Sequence, residues 1–146
     1  SLQFYIGRYG EAIDTLQRIR AVDPDFPWID WLLARALTFA GRPAEALAVY
    51  QEPSGMPAGT EWDAHAYVMA GRRDEAEKLA ARHQDYPHRR AIIYAALGDK
   101  DRTFEALDQL ALLEPHRVVD LLSYPELRGL RSDPRFAALR RKFGLP

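Results

Sequence analysis

A short phrase that begins with glycine recurs four times along this chain and constrains its fold more than any other feature. The glycines are Gly7, Gly41, Gly71 and Gly98, at spacings of 34, 30 and 27 residues, and a small residue follows each of them five positions later. Glycine adopts positive φ angles without a Cβ clash, which suits a tight turn between two helices. The recurrence therefore predicts a series of helix pairs, each of which turns at a glycine.

Composition favours helices throughout the chain. Alanine, which loses no side-chain entropy in a helix, occurs 22 times among 146 residues. β-branched residues, which favour strands, are sparse, and no segment shows sustained alternation of apolar and polar residues. We therefore expect an all-α protein, and the length predicts a single domain over residues 1–146.

Residues of similar type recur at fixed distances before the later three glycines. An alanine stands seven positions before each glycine, and a leucine or tyrosine stands four positions before it. Positions three apart lie on one face of a helix, so each pair faces the same neighbour. The small residue lets two antiparallel helices approach closely, and the larger one fills the space between them. These residues are Ala34, Leu37, Ala64, Tyr67, Ala91 and Tyr94.

This pattern resembles the tetratricopeptide repeat (TPR), a helix–turn–helix unit with a period of 34 residues. The resemblance implies a right-handed α-solenoid of TPR-like antiparallel helix pairs, with about nine or ten helices. Three positions depart from the family pattern, because Asp30 occupies the usual tryptophan position, Trp31 follows it, and Thr103 replaces an alanine. The residues that match the second half of one unit are Gly7, Tyr9, Ala12, Leu16, Ile19 and Pro24.

The repeat divides the chain into successive helix pairs. A truncated first repeat spans 1–26, in which a helix end at 2–6 precedes a partner helix at 9–21. Complete repeats follow at 27–59, 60–87 and 88–115, and a capping segment spans 116–146. Within the complete repeats the predicted helix pairs are 28–40 with 43–51, 61–70 with 73–83, and 88–97 with 100–113.

The tail at 127–146 is similar to the closing segment of TPR regions in some bacterial signalling proteins. These include winged-helix transcriptional activators, adenylate or guanylate cyclases, and receptor-like kinases. The resemblance implies a sensory or regulatory C-terminal module that binds a small ligand or dimerises, in the cytoplasm, or in the periplasm if a membrane-anchored regulator precedes it. The matching residues are Leu130, Arg131, Asp133, Pro134, Arg135, Phe136, Gly144, Leu145 and Pro146.

The sequence lacks the motifs of common catalytic, cofactor and metal sites. The glycine-rich phosphate loops, the His-Glu-x-x-His zinc motif and the Gly-x-Ser-x-Gly elbow are missing, and the chain has no cysteine. The net charge of −1 argues against broad nucleic-acid binding. No apolar run approaches the roughly 18 residues of a membrane span. We therefore expect no catalytic residue, cofactor or metal, no membrane insertion, and a protein or peptide as the partner.

The exposed face of the first helices is the predicted binding surface. Trp28, Trp31 and Arg35 share one stripe of the helix at 28–40, and tryptophan and arginine are enriched at binding hot spots. The repeat offsets carry this stripe to equivalent positions in the next two repeats. In the alternative interpretation the two tryptophans pack against Val22, Phe26 and the following repeat. The predicted partner-binding residues are Trp28, Trp31, Arg35, Glu61, His65, His88 and Arg89.

Both ends of the chain carry a further candidate surface. The first helix begins with the apolar residues Leu2, Phe4, Tyr5 and Ile6, which predict either more helix upstream or self-association through this end. The tail is rich in arginine and could bind an anion, although a capping helix with a solvated face explains the same charges. The cations of the tail are Arg128, Arg131, Arg135, Arg140, Arg141 and Lys142.

Overall fold

A computed structural model describes residues 2–51 and 59–146, with side chains over 8–50 and 59–146. Across these ranges the chain is helical and contains no strand. A 3-10 turn at Glu61–Asp63 leads into α4, and a second 3-10 segment at Pro125–Leu130 lies between α8 and α9. The helices are α1 (Leu2–Val22), α2 (Ile29–Phe39), α3 (Pro43–Gln51), α4 (Ala64–Met69), α5 (Arg73–Arg82), α6 (Pro87–Leu97), α7 (Lys100–Leu113), α8 (Pro115–Ser123) and α9 (Pro134–Lys142).

The predicted fold class is confirmed, because the helices pack in neighbouring pairs in a TPR-like arrangement. If the turn at Glu61–Asp63 is counted with α4, the described residues form ten helical segments. The chain divides into two compact units, an N-terminal unit (Ser1–Arg72) and a C-terminal unit (Arg73–Pro146). In the N-terminal unit α1 packs on α2, α2 on α3, and α3 on α4.

Most of the small residues that the repeat pattern selects lie in the interior. Ala34, Ala46, Ala76, Ala91 and Thr103 are all completely buried. A larger side chain at these positions would have to displace its neighbours, and close-packed interiors tolerate such displacement poorly.

The turns at three of the four glycines are confirmed and have one geometry. Gly41, Gly71 and Gly98 have φ angles of +80°, +77° and +74°. At the first of them, the N–H of Gly41 donates to the carbonyl of Thr38 at 3.1 Å, and the N–H of Arg42 donates to the carbonyl of Leu37 at 2.9 Å. The same two bonds recur at the other two glycines and again at Gly144. This pair of hydrogen bonds is the Schellman motif, which satisfies the last carbonyls of a helix.

The predicted turn at Gly7 is wrong, because α1 continues through Gly7 and Gly10 as one helix of 21 residues. A glycine inside a helix costs only about 1 kcal/mol relative to alanine. Unbroken backbone hydrogen bonding offsets that cost, and within the described residues no earlier helix packs against α1 to favour a turn. The side chains of Leu2, Phe4, Tyr5 and Ile6 lie outside the described residues, so self-association through this end stays a prediction.

The C-terminal unit is built around α6. This helix packs against α5, α7, α8 and the 3-10 segment at Pro125–Leu130, and α9 packs on α8. At the start of α9, the carboxylate of Asp133 accepts a hydrogen bond from the N–H of Arg135 at 2.9 Å. This N-cap bond satisfies one free donor of the helix and fixes where α9 begins.

Candidate functional site

Three tryptophans and one arginine form a cluster in the N-terminal unit, which we call the tryptophan–arginine cluster (Trp28, Trp31, Arg35 and Trp62). The rings of Trp31 and Trp62 meet nearly edge to face, with centroids 5.1 Å apart at 74°. The guanidinium carbon of Arg35 lies 4.6 Å from the centroid of Trp31 and 5.0 Å from that of Trp62. Edge-to-face contacts and cation–π contacts are both attractive, so Arg35 holds the two rings in a defined arrangement.

Trp28 stands at the outer end of this cluster in an unusual backbone conformation. It has a φ of +65° and is the one non-glycine residue with positive φ in the described part of the chain. Its carbonyl accepts a hydrogen bond from the N–H of Leu32 at 2.9 Å, so this residue starts α2. A bulky residue in the left-handed region costs on the order of 1–3 kcal/mol.

The side chain of Trp28 is 66 % exposed, and its ring centroid lies 6.3 Å from that of Trp31. Val22, Phe26 and Leu32 are also exposed, so the two neighbours proposed in the alternative interpretation do not bury Trp28 in a core. Exposed large apolar groups that occur together mark interaction surfaces in soluble proteins. A strained backbone that holds an exposed tryptophan therefore distinguishes this site from an ordinary helix start.

Trp31 is half-buried within the cluster. It packs on the following repeat through Trp62, as the alternative interpretation expected. Its indole N–H is shielded from solvent and has no hydrogen-bond acceptor among the described residues. Asp30, which replaces the usual tryptophan, is buried and forms an ion pair with Arg20 of α1 at 2.8 Å. Its negative charge in the first turn of α2 also suits the helix dipole. This ion pair connects α1 to the start of α2 and so positions the cluster.

Glu61 and His65 lie in the same unit but have different surroundings. Glu61 is buried, with only 7 % of its surface exposed. His65 is half-buried, and its ring centroid lies 5.7 Å from that of Phe39. The partner of Trp31 is Trp62, which our sequence analysis missed. The repeat offset selects Glu61, but Glu61 begins a 3-10 turn, whose residues do not follow the α-helical angular spacing on which the offset relies.

Asp63 is a buried carboxylate next to this cluster in the sequence. It is 1 % exposed, and its carboxylate accepts hydrogen bonds from the N–H of Gly59 at 2.7 Å and the hydroxyl of Thr60 at 3.5 Å. Burial raises the pKa of Asp63 to about 6, and the negative charge of Glu61 acts in the same direction. These hydrogen bonds lower the pKa but do not cancel the effect of burial.

We expect Asp63→Asn to remove a pH dependence of stability. Because the pKa of Asp63 rises from 3.8 to about 6 on folding, the folded chain binds this proton more tightly than the unfolded chain does. The resulting stability is fully present below about pH 4 and is lost as the pH rises through about 6. From pH 4 to 7 the free energy of unfolding of the wild type should fall by about 1–3 kcal/mol relative to the variant.

Urea denaturation followed by tryptophan fluorescence measures this difference. The fluorescence reports on unfolding of the N-terminal unit, which contains Asp63, since all three tryptophans lie in Ser1–Arg72. Other titrating groups are common to both chains and cancel in the comparison. A wild-type-minus-variant difference that stays constant from pH 4 to 7 would contradict the assignment.

His88 and Arg89 lie in the C-terminal unit, at the start of α6, where they form a local cluster with Tyr86. The guanidinium carbon of Arg89 lies 4.6 Å from the ring centroid of Tyr86 and its Nη1 lies 3.4 Å from Nδ1 of His83. The His88 ring meets Tyr86 nearly edge to face at 6.4 Å. Burial, and then the positive charges of Arg117 and Arg89, lower the pKa of His88 to about 4. His88 is therefore neutral at physiological pH.

The structure thus brings three of the seven predicted residues together, namely Trp28, Trp31 and Arg35, and adds Trp62 to them. His65 packs on Phe39, Glu61 is buried, and His88 and Arg89 belong to the other unit. That all seven share one groove stays a prediction. In the parts of the chain that the structure describes, no three histidine and carboxylate side chains gather in a way that could hold a metal ion. Among the described residues, no helix is both long and apolar enough to cross a membrane.

Comparison with known families identifies a match in the first third of the chain. The tetratricopeptide repeat family matches residues 7–54, which include most of α1, all of α2 and α3, and three residues of the cluster. No curated protein and no solved structure matches the chain. The similarity of the tail to bacterial signalling proteins therefore stays a prediction. The segment that carries Trp28, Trp31 and Arg35 is similar to a tetratricopeptide repeat, a non-catalytic unit that generally serves in protein–protein interaction.

Proposed function

We propose that this chain is a non-catalytic protein–protein interaction module that binds a peptide or an extended segment of a partner domain at the tryptophan–arginine cluster. The observation that carries the proposal is Trp28, an exposed tryptophan with a positive φ whose ring lies next to the packed rings of Trp31 and Trp62. Strain of this kind persists where the surrounding structure enforces it, and it concentrates at binding sites. Its exposed ring supplies the large apolar contact that interaction hot spots use.

The cluster suits a peptide because it is organised before binding. Trp31 and Trp62 contact each other and Arg35 contacts both, so few side-chain rotamers remain to be lost when a partner binds. We also propose His88 and Arg89 as partner-binding residues within the C-terminal unit.

A peptide library displayed on phage and selected on the full chain tests this proposal. We expect selected peptides to bind the wild type, and Trp31→Ala or Arg35→Ala to weaken their affinity by about 1–2 kcal/mol or more, as substitutions at hot spots do. Fluorescence anisotropy with a labelled peptide measures the affinity, and circular dichroism reports whether the variant remains helical.

Arg42→Ala is the matched control, since Arg42 is an exposed arginine in the turn that follows α2 and forms its ion pair with Glu45, three positions later. Its affinity should equal that of the wild type. The proposal is wrong if no peptide is selected, or if Arg35→Ala remains helical and binds as tightly as Arg42→Ala.

A further inference from the structure

A cavity of about 460 Å³ lies in the C-terminal unit between α8 and the residues at the end of α9. Val119 and Leu122 of α8, together with Leu145, give the cavity an apolar lining, and Arg131 and Arg140 give it two cationic groups. This volume falls within the range of small-molecule sites, and such sites combine an apolar wall with a few polar groups.

The two arginines of this cavity have hydrogen-bonding capacity left. The Nη2 of Arg140 donates to the carbonyl of Pro146, whereas its Nε–H is shielded from solvent and has no acceptor among the residues that the structure describes. Arg131 is exposed and has no ion-pair partner within 8–50 or 59–146. Neither arginine has an acidic side chain as a partner among the described residues, so both guanidinium groups can pair with a bound anion.

Two other cavities of the same unit differ in this respect. In the one lined by Arg73 and Arg102, these cations form ion pairs with Glu77 at 3.6 Å and Asp99 at 3.5 Å. In the cavity lined by Arg135, this residue pairs with Asp101 at 2.8 Å and also with the N-cap Asp133. The lining of the cavity at Arg140 contains no aspartate or glutamate. No acidic side chain of the lining therefore neutralises the positive charge of the two arginines.

We propose that this cavity binds a small organic carboxylate with an apolar body. The carboxylate accepts hydrogen bonds from the guanidinium groups of Arg140 and Arg131, since the planar guanidinium group matches the geometry of a carboxylate. The apolar body lies against Val119, Leu122 and Leu145. The hydroxyl of Ser123 already donates to the carbonyl of Asp120 at 2.6 Å, so Ser123 can only accept from a ligand.

This site assigns a role to part of the arginine-rich tail. Arg135 is neutralised by Asp101 and Asp133, and Arg141 and Lys142 are exposed on α9 outside the cavity lining. Arg131 and Arg140 are the members of the tail that line the cavity. The site lies wholly in the C-terminal unit and is independent of the proposed peptide-binding cluster.

Isothermal titration calorimetry of the full chain with sodium octanoate tests the proposal, with sodium acetate and 1-octanol as partial ligands. Octanoate carries both the charge and the apolar body, acetate only the charge, and octanol only the body. We expect saturable 1:1 binding of octanoate and at least about tenfold weaker binding of the other two, since each lacks one half of the recognition. Octanoate binding that does not saturate, or acetate binding equal to that of octanoate, would overturn the proposal.

Substitutions then locate the site. Arg140→Gln should weaken octanoate binding by about tenfold, equal to about 1.4 kcal/mol, through the loss of a charge-assisted hydrogen bond. Arg131→Gln should act in the same direction and leave the fold intact, because Arg131 is exposed. Arg141→Gln is the matched control, since it removes the same charge from the next position of α9 and should change the affinity by less than about twofold. If Arg141→Gln weakens binding as much as Arg131→Gln does, net charge and not this cavity attracts the ligand, and the proposal is wrong.

Discussion

A Trp28→Gly variant is expected to be more stable than the wild type and to lose peptide binding. Glycine adopts the φ of +65° seen at Trp28 without a Cβ clash. Relief of this strain should outweigh the greater chain entropy of unfolded glycine and stabilise the N-terminal unit by about 1 kcal/mol. Because the exposed indole is the proposed anchor, loss of the ring should weaken a selected peptide by about 2 kcal/mol or more, close to thirtyfold.

Trp28→Ala separates the two effects. Alanine removes the same ring but retains the Cβ that makes positive φ unfavourable. It should therefore lose binding as Trp28→Gly does, without the gain in stability. Urea denaturation followed by the fluorescence of Trp31 and Trp62 gives the stability, and anisotropy gives the affinity. If Trp28→Gly binds as the wild type does, Trp28 is not the anchor.

A Leu33→Ala variant is expected to lose about 2–5 kcal/mol of stability, the usual cost of removing a buried leucine side chain. Leu33 is 1 % exposed and lies in the core that α2 shares with α1 and α3. Truncation leaves a cavity that the small residues around it cannot fill, since Ala34, Ala36 and Ala46 have no side-chain freedom with which to repack. The free energy of unfolding from urea denaturation measures the loss.

Leu32→Ala is the control for this variant, because it makes the same substitution one position earlier in the same helix. Leu32 is 36 % exposed, and its truncation should cost less than about 1 kcal/mol. Equal losses of stability at the two positions would contradict the placement of Leu33 in the core and of Leu32 at the surface.

Much of the fold could be predicted because its signals are local. Gly41, Gly71 and Gly98 turn the chain as expected, since the left-handed conformation at the end of a helix favours glycine for reasons that lie within the residue itself. The buried alanines were predicted for a similar reason, because residues at a constant offset from a turn face the same neighbour in every helix pair.

The candidate site could be predicted only in part. Trp28, Trp31 and Arg35 lie on one helix, where spacing alone brings them together, and the structure confirms their proximity. Trp62 comes from another segment, and it, not Glu61, meets Trp31. The repeat offset assumes α-helical spacing at both positions, whereas Glu61–Asp63 is a 3-10 turn, so the offset does not give the direction of its side chains.

The sequence by itself determined the helical character of this chain, the position of its glycine turns and the small residues at its helix contacts. These depend on the conformational freedom of single residues and on the 3.6-residue period of the helix. Tertiary structure alone decided that α1 continues through Gly7, that Trp28 is held at positive φ in solvent, and which arginines of the tail already have carboxylate partners. Each of these outcomes depends on which groups from distant parts of the chain come within reach, and packing sets those distances.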